Sequence, residues 1–287
     1  MSETELFQTD YDKTDCAIGI VHLGFGAFHR AHQAVFIDDY MQKTGDLCWG
    51  IAAVNLRKAD APAFQSAARA ADGYVLKTIA PDGAVDYRMV RSHLAFFDAS
   101  SDEEDSFDIL CAPSVHAVTI TVTESGYYVD QDWKLDLETA PIADGISGKK
   151  SETVYAYLAE ALARRAQHLN APLTILCCDN IRSNGDILKD ALLAYIKALG
   201  QAELASWVEK NVYFPCSMVD RITPRSTPEL HTEVSRLFDS ETLAPVHCEL
   251  FTQWVIEQKF ASKMPALEIV GVQMVSDVMP YEEAKIR

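Results

Sequence analysis

Ala17-Ile-Gly-Ile-Val-His-Leu-Gly-Phe-Gly-Ala-Phe-His-Arg30 is the stretch that decides the fold. Ala17 to Leu23 is a short apolar run, Gly24 to Gly26 a glycine turn, and a helical pattern runs from about Phe28 to Gln42. Strand, glycine turn and helix, in that order and near the N-terminus, open a dinucleotide-binding unit. Its turn sets backbone N–H groups and a helix start against a pyrophosphate. Gly24 and Gly26 fill the first two positions of G-x-G-x-x-G, whereas His29 stands at the third. The glycine expected there lets helix and strand pack closely, so either the helix sits slightly off or His29 contacts the ligand.

Downstream, strands alternate with helices. Trp49–Val54, His116–Val122 and Leu173–Cys177 read as buried strands. Ala59–Ala70, Glu152–Gln167, Gly185–Leu199 and a stretch near Pro228–Phe238 read as helices. Tyr74–Thr78, the Pro81-Asp82-Gly83 turn and Val85–Val90 make a hairpin. Further strands are expected over Asn211–Ser217, Glu249–Val255 and Val270–Ser276, a loose polar arm over residues 1–15, and a solvated acidic loop with a helix start over Asp98–Asp108. The alternation predicts an α/β, Rossmann-like fold: a largely parallel, doubly wound sheet with helices on both faces and an extra β-hairpin.

Composition narrows the function. The 287 residues are 48% hydrophobic and carry 42 acids against 25 bases, a net charge of −17. That balance argues against nucleic acid, whose binding neutralises phosphates, and against anionic membrane surfaces. No stretch approaches the roughly 20 apolar residues of a membrane span, and the acidic start Met1-Ser-Glu-Thr-Glu5 is no signal peptide. Seven cysteines without a C-x-x-C read as reduced thiols of a cytoplasmic protein.

Several residues carry chemistry. Asn55, after the second strand, suits a ribose hydroxyl, while Arg57 or Lys58 suits a 2′-phosphate, which leaves NAD and NADP both open. Thr121 and Thr123 end a strong strand, where an open α/β sheet meets its ligand. His29 and His32, three apart, lack a third metal ligand, so no metal is expected. Asp277 and Pro280 mark a helix entrance, and Glu282 and Lys285 share one face of that helix. A carboxylate beside a lysine can move protons if the lysine is desolvated enough to release its own; otherwise the pair is a surface salt bridge.

Taken together, Ile20–Gln33, Thr121–Tyr127, Cys178–Gly185, Tyr213–Pro224, Phe251–Glu257 and Pro280–Arg287 resemble the mannitol dehydrogenase family of long-chain polyol and sugar-acid dehydrogenases. The string Met218-Val-Asp-Arg-Ile-Thr-Pro224 is the most specific. The resemblance looks closest to the fructuronate reductase (mannonate oxidoreductase) branch, with mannitol 2-dehydrogenase and arabinitol 4-dehydrogenase as alternatives. It implies an NAD-dependent, metal-free oxidoreductase that interconverts a secondary alcohol and its ketone, and a monomer in much of the family. Gly24, Phe25, Gly26, Ala27, Phe28, His29 and Arg30 match the cofactor-binding turn, joined by Asn55, Thr121 and Thr123. Lys285 matches the general base, Asn180 an amide that stabilises the oxyanion, and Glu282 a proton relay. Asp220 and Arg221 fall at the site's edge, touching substrate or holding a loop, or else forming a buried ion pair. The resemblance further implies that residues 1–279 are the cofactor domain and 280–287 the first turns of a helical substrate domain, absent here. An asparagine five residues, and a histidine eight residues, after the lysine are expected to be missing too. Weak or no catalysis, as a nucleotide-binding fragment, is therefore expected of this chain alone.

Overall fold

A computed structural model describes residues 5–70, 72–101, 105–240 and 243–285. Six parallel strands form the central sheet. Their order is β6 (His93–Asp98), β3 (Gly50–Asn55), β2 (Ile18–Leu23), β7 (Ala117–Ile120), β8 (Leu173–Cys177) and β9 (Val212–Tyr213). The chain builds outwards from β2 to β6, then returns to place β7 on the other side of β2. That reversal is the topological switch point, and it leaves a crevice at the carboxyl ends of β2 and β7.

Alternation along each strand supplies two cores. Val21, Leu23, Val118, Ile120 and Ile175 face α5 (Val154–His168), α6 (Asn184–Ala198) and α7 (Ala202–Asn211). Ile20, Ala117, Leu176 and Cys178 face the opposite layer. It holds α1 (Ala27–Ala31), α2 (Gln33–Thr44) and two smaller sheets. The first of these is β1 (Leu6–Gln8), β5 (Val85–Val90), β4 (Tyr74–Ile79) and β11 (Val246–Glu249). The second is β10 (Ser217–Asp220), β12 (Gln253–Glu257) and β13 (Gln273–Val275). Helices α3 (Ala61–Ala68), α4 (Ala140–Ile146), α8 (Pro228–Phe238) and α9 (Met279–Lys285) complete the described elements. No helix among them is long and apolar enough to cross a membrane.

One buried cation joins the layers. Arg165 of α5 is 1% exposed. Its guanidinium donates to the carbonyls of Leu110, Val115, Ala171 and Pro172, so it staples the two loops that lead into β7 and β8. Desolvation lowers its pKa to about 10, which leaves it charged at neutral pH.

Several sequence expectations change. β6 lies where the acidic loop was expected to begin, and Asp98 is its buried last residue. His93-Leu-Ala-Phe-Phe-Asp98 has no β-branched residue and only one covered neighbour, so its strand signal is weak. Residues 102–104 of that acidic run, like 1–4 and 286–287, lie outside the described residues. The polar arm is docked: β1 pairs with β5, and the Tyr11 hydroxyl donates to buried Asp38 at 2.6 Å. Glu249–Val255 is two strands in different sheets, and Asn211–Ser217 divides at Pro215 into β9 and β10. The helix expected from Phe28 to Gln42 breaks at His32, where φ is −126° and ψ −90°.

Candidate active site

The crevice at the switch point is a cavity of about 660 Å³. Phe28, Thr123, Asn180, Asp220, Arg221 and Lys285 are among its lining residues, so the start of α1, the exits of β7 and β8, β10 and α9 share one space. A second cavity of about 250 Å³ lies beside it, lined in part by Asn180, Arg182, Val219, Glu282 and Lys285.

The glycine turn is shaped by close approach. Gly24 has φ +94°, and a Cβ on it would lie 2.2 Å from the Thr121 carbonyl oxygen. At Gly26 a Cβ would meet nothing within 4 Å, so the backbone there fronts open space. Ala27 begins α1. Phe25 packs edge-on against Phe64, Tyr74, His93 and Phe96 and holds the turn from below. Arg30 lies over the rings of Phe25 and Tyr74 and donates to the Ala244 carbonyl at 2.9 Å.

His29, in place of the third glycine, is fully buried. Its ring stacks on His22 of β2 with centroids 3.3 Å apart, and its Nε2 lies 2.9 Å from His93 Nε2. An imidazole therefore spaces α1 from the strand, and His29 supports the turn from beneath instead of facing the crevice. His32 points elsewhere, donating from Nε2 to the Gln253 carbonyl and accepting from Gln33 at Nδ1. His29 and His32 therefore do not converge as metal ligands. Among the described residues no group of three His, Cys, Asp or Glu could hold a metal.

Asn55 is also turned inward. Its Nδ2 donates to Asp98 Oδ1 at 2.8 Å and to the Arg57 carbonyl at 2.9 Å, while its oxygen accepts from the Arg57 N–H. The expected ribose contact is thus occupied by the protein's own groups, and Arg57 pairs with Asp60 at the surface. Thr121 is anchored by His22, with Oγ1 2.9 Å from Nε2. Thr123 reaches the cavity with an unusual backbone, φ +68° and ψ 158°.

The buried histidines give a pH prediction. Burial holds His22, His29, His32 and His93 well below the ordinary histidine range, with His32 and His93 at about 3. Unfolded, these groups take up protons below about pH 6.5, and folded they do not. Their contribution is therefore complete above pH 6.5 and is lost as the pH falls from there towards 3. Each of His32 and His93 should cost about 2 kcal/mol by pH 5. Urea unfolding at pH 7.5 and 5.0 measures this. A folding free energy that does not fall between the two would contradict it.

Lys285 sits at the junction of the two cavities. Its Nζ donates to the Val219 carbonyl at 2.8 Å and to Asn180 Oδ1 at 3.0 Å, and lies 3.5 Å from Asp220 Oδ1. Lysine has donors only, so it must face the amide oxygen of Asn180, which leaves Nδ2 as the donor on the other side. No ion pair joins Lys285 to Glu282; the lysine's carboxylate partner is Asp220, on β10. Glu282 is 8% exposed and accepts from the Ser183 backbone N–H at 3.1 Å, capping α6 from α9. That bond seats α9 and so places Lys285. Burial of Glu282 raises its pKa above the ordinary carboxyl value.

Asp220 and Arg221 do not pair with each other. Arg221 donates to the carbonyls of Ala31 and Glu249 at 2.6 and 3.1 Å, tying α1 to the end of β11, and desolvation lowers its pKa. Asn184 holds β8's exit to β10 by bonds to the Asp179 carbonyl and to both backbone groups of Ser217. Asn184 and Asp179 are not among the expected site residues, although both lie within Cys178–Gly185. Polar residues at the mouth of a buried strand were the available signal.

Residues 18–269 match the mannitol dehydrogenase Rossmann domain. The chain belongs to the mannitol dehydrogenase family. It is 40% identical over 271 residues to D-arabinitol 4-dehydrogenase of Ralstonia nicotianae, covering 93% of this chain and 58% of that protein. It superposes on Pseudomonas fluorescens mannitol 2-dehydrogenase, solved as a ternary complex with NAD and D-mannitol. There the TM-score is 0.91 at 34% identity, over 100% of this chain and 58% of the other. The fit to a substrate-free D-sorbitol dehydrogenase gives a TM-score of 0.89 at 34% identity, over all of this chain and 59% of that one. The chain thus spans just over half the length of these relatives. Their names are those of polyol dehydrogenases. The expected fructuronate reductase branch is not supported, and the alternatives, mannitol 2-dehydrogenase and arabinitol 4-dehydrogenase, fit better.

Proposed function

We propose that this chain binds NAD at the Gly24–Gly26 turn and supplies the base and an oxyanion donor of a polyol dehydrogenase. The observation that carries the reading is the convergence of Lys285 and Asn180 in a cavity that is also lined by Phe28, two residues beyond the glycine turn. The open space at Gly26, beside the tightly packed Gly24, fits a close-lying pyrophosphate. When bound, NAD accepts the hydride of the alcohol carbon.

Lys285, as a neutral amine, keeps two hydrogens for Val219 and Asn180 and turns its lone pair to the substrate hydroxyl proton. Asp220, 3.5 Å away, then stabilises the ammonium that forms. Asn180 Nδ2 donates to the developing alkoxide, an interaction that strengthens where water is excluded. In this reading Glu282, which lines the smaller cavity together with Lys285, passes the proton on towards solvent.

Charge in the crevice favours a neutral polyol over a sugar acid. Glu124, Asp179 and Asp220 line it against Arg221 and Lys285. Both cations already have partners, Arg221 on carbonyls and Lys285 on Val219, Asn180 and Asp220. A substrate carboxylate would therefore meet repulsion from three carboxylates without a free cation among those five charges.

Fluorescence titration tests the cofactor reading. NADH should saturate the chain with enhanced, blue-shifted emission. NADPH is titrated in parallel, because Arg57 and Lys58, after β3, leave a 2′-phosphate open. Absence of saturable binding for either nucleotide would overturn the reading.

A further inference from the structure

We propose that Asp179 is a positioning residue, whose carboxylate clamps the backbone at Val122 and Thr123 and holds Thr123 in the left-handed extended form that shapes the cofactor side of the crevice. The inference rests on the cofactor reading given above. Thr123, at φ +68° and ψ 158°, occupies a region that is almost confined to glycine. A β-branched side chain stays there only when its surroundings impose it.

Asp179 supplies that constraint. Its Oδ2 accepts from the Val122 N–H at 2.8 Å and from the Tyr127 hydroxyl at 2.7 Å, and its Oδ1 accepts from the Thr123 N–H at 3.2 Å. Tyr127 is fully buried, and its hydroxyl also lies 2.9 Å from Cys177 Sγ, so the clamp is anchored in the core. Two successive N–H groups that converge on one carboxylate form an anion nest, here filled by the protein itself.

Position gives the clamp its consequence. Asp179 immediately precedes Asn180, and both line the crevice with Thr123. One turn after β8 therefore carries the oxyanion donor and fixes the exit of β7, the strand that borders the switch point. Burial pushes the Asp179 carboxyl above its ordinary range, whereas the three donors favour its charged form. The same geometry in a merely stabilising carboxylate would not require Thr123 to be strained.

The test compares the whole chain with Asp179→Asn and with Asp179→Asn/Thr123→Gly, by amide hydrogen exchange and NADH titration. In Asp179→Asn the amides of Val122 and Thr123 should exchange faster, and NADH affinity should fall about tenfold, the scale of one strained residue. Adding Thr123→Gly should restore NADH affinity, because glycine takes that backbone unaided, while Val122 stays fast. Unchanged exchange at both amides in Asp179→Asn, or no recovery with glycine, would overturn the clamp. If Asp179→Asn does not fold, Tyr127→Phe removes one donor and should speed exchange at Val122; an unchanged rate there overturns the proposal equally. Wild-type chain that shows the exchange pattern but does not bind NADH would sink the cofactor reading and leave the clamp standing.

Discussion

On the function proposed above, replacing Lys285 by alanine should lower whatever kcat for polyol oxidation the unaltered chain sustains by about 10²- to 10⁴-fold, the usual contribution of a placed general base. Cofactor affinity should be unaffected, because Lys285 contacts Asn180, Val219 and Asp220 and not the glycine turn. The loss should exceed simple removal of the base. Without the ammonium or amine, Asn180 is free to rotate, and its Nδ2 is no longer held towards the substrate oxygen. Added primary amines should recover part of the rate in Lys285→Ala, since a small amine fits the space vacated beside Val219 and Asp220. Steady-state kinetics with mannitol and arabinitol, together with NADH titration of the variant, measure both effects. An undiminished rate in Lys285→Ala would remove the lysine from the chemistry. Weakened NADH binding, with kcat unchanged at saturating cofactor, would instead move it to the cofactor side.

The second large effect concerns stability. Arg165→Met should destabilise the fold by about 3–5 kcal/mol, because four carbonyls in the interior lose a donor at once. A domain is stable by only about 5–15 kcal/mol in total, so this is a substantial fraction. Methionine keeps the apolar stem and isolates the cost of the missing donors. Arg165→Lys should recover only part of it: an ammonium carries three donors on a point charge and cannot span four carbonyls as a planar guanidinium does. Chemical denaturation of the three proteins decides the matter. Equal stability of wild type and Arg165→Met would mean that the loops below β7 and β8 satisfy their carbonyls without the staple. The buried position of Arg165 was not legible beforehand. Arg164-Arg165 ends an amphipathic helix, where basic residues usually lie in water. Arg164 does so, bridging Asp105, Asp108 and Glu160, while its neighbour turns inward.

Periodic apolar patterns identify elements where burial is thorough. β2, β3, β7 and β8 are central strands covered on both faces, and their near-continuous apolar runs mark them plainly. The same holds for α6, by its periodicity, and for α5 and α8, whose caps and periodicity agree: Thr153 and Thr227 accept from their first-turn amides. Edge elements were less legible. β6 lacks β-branched residues, and β11 and β12 follow one another so closely that a single strand seemed sufficient. Their separation depends on each joining a different sheet, a fact about distant pairing.

The site divides along the same line. Local sequence determined which residues could take part: a glycine turn after a buried strand, an asparagine after another, and a lysine on a helix opened by Asp277 and Pro280. These depend on short-range backbone geometry, which neighbouring side chains dictate. Tertiary structure alone decided how they are used. His29 became a spacer because His22 and His93 meet it from strands 7 and 64 residues away in sequence. Asn55 turned inward because Asp98 of β6 lies alongside. Lys285 found Asp220 and Asn180, where spacing along the helix pointed to Glu282. Hydrogen bonds and charge pairs act over a few ångströms, so their partners are chosen by which strand ends the fold brings together. That choice is made by the sheet order, and no stretch of sequence contains it.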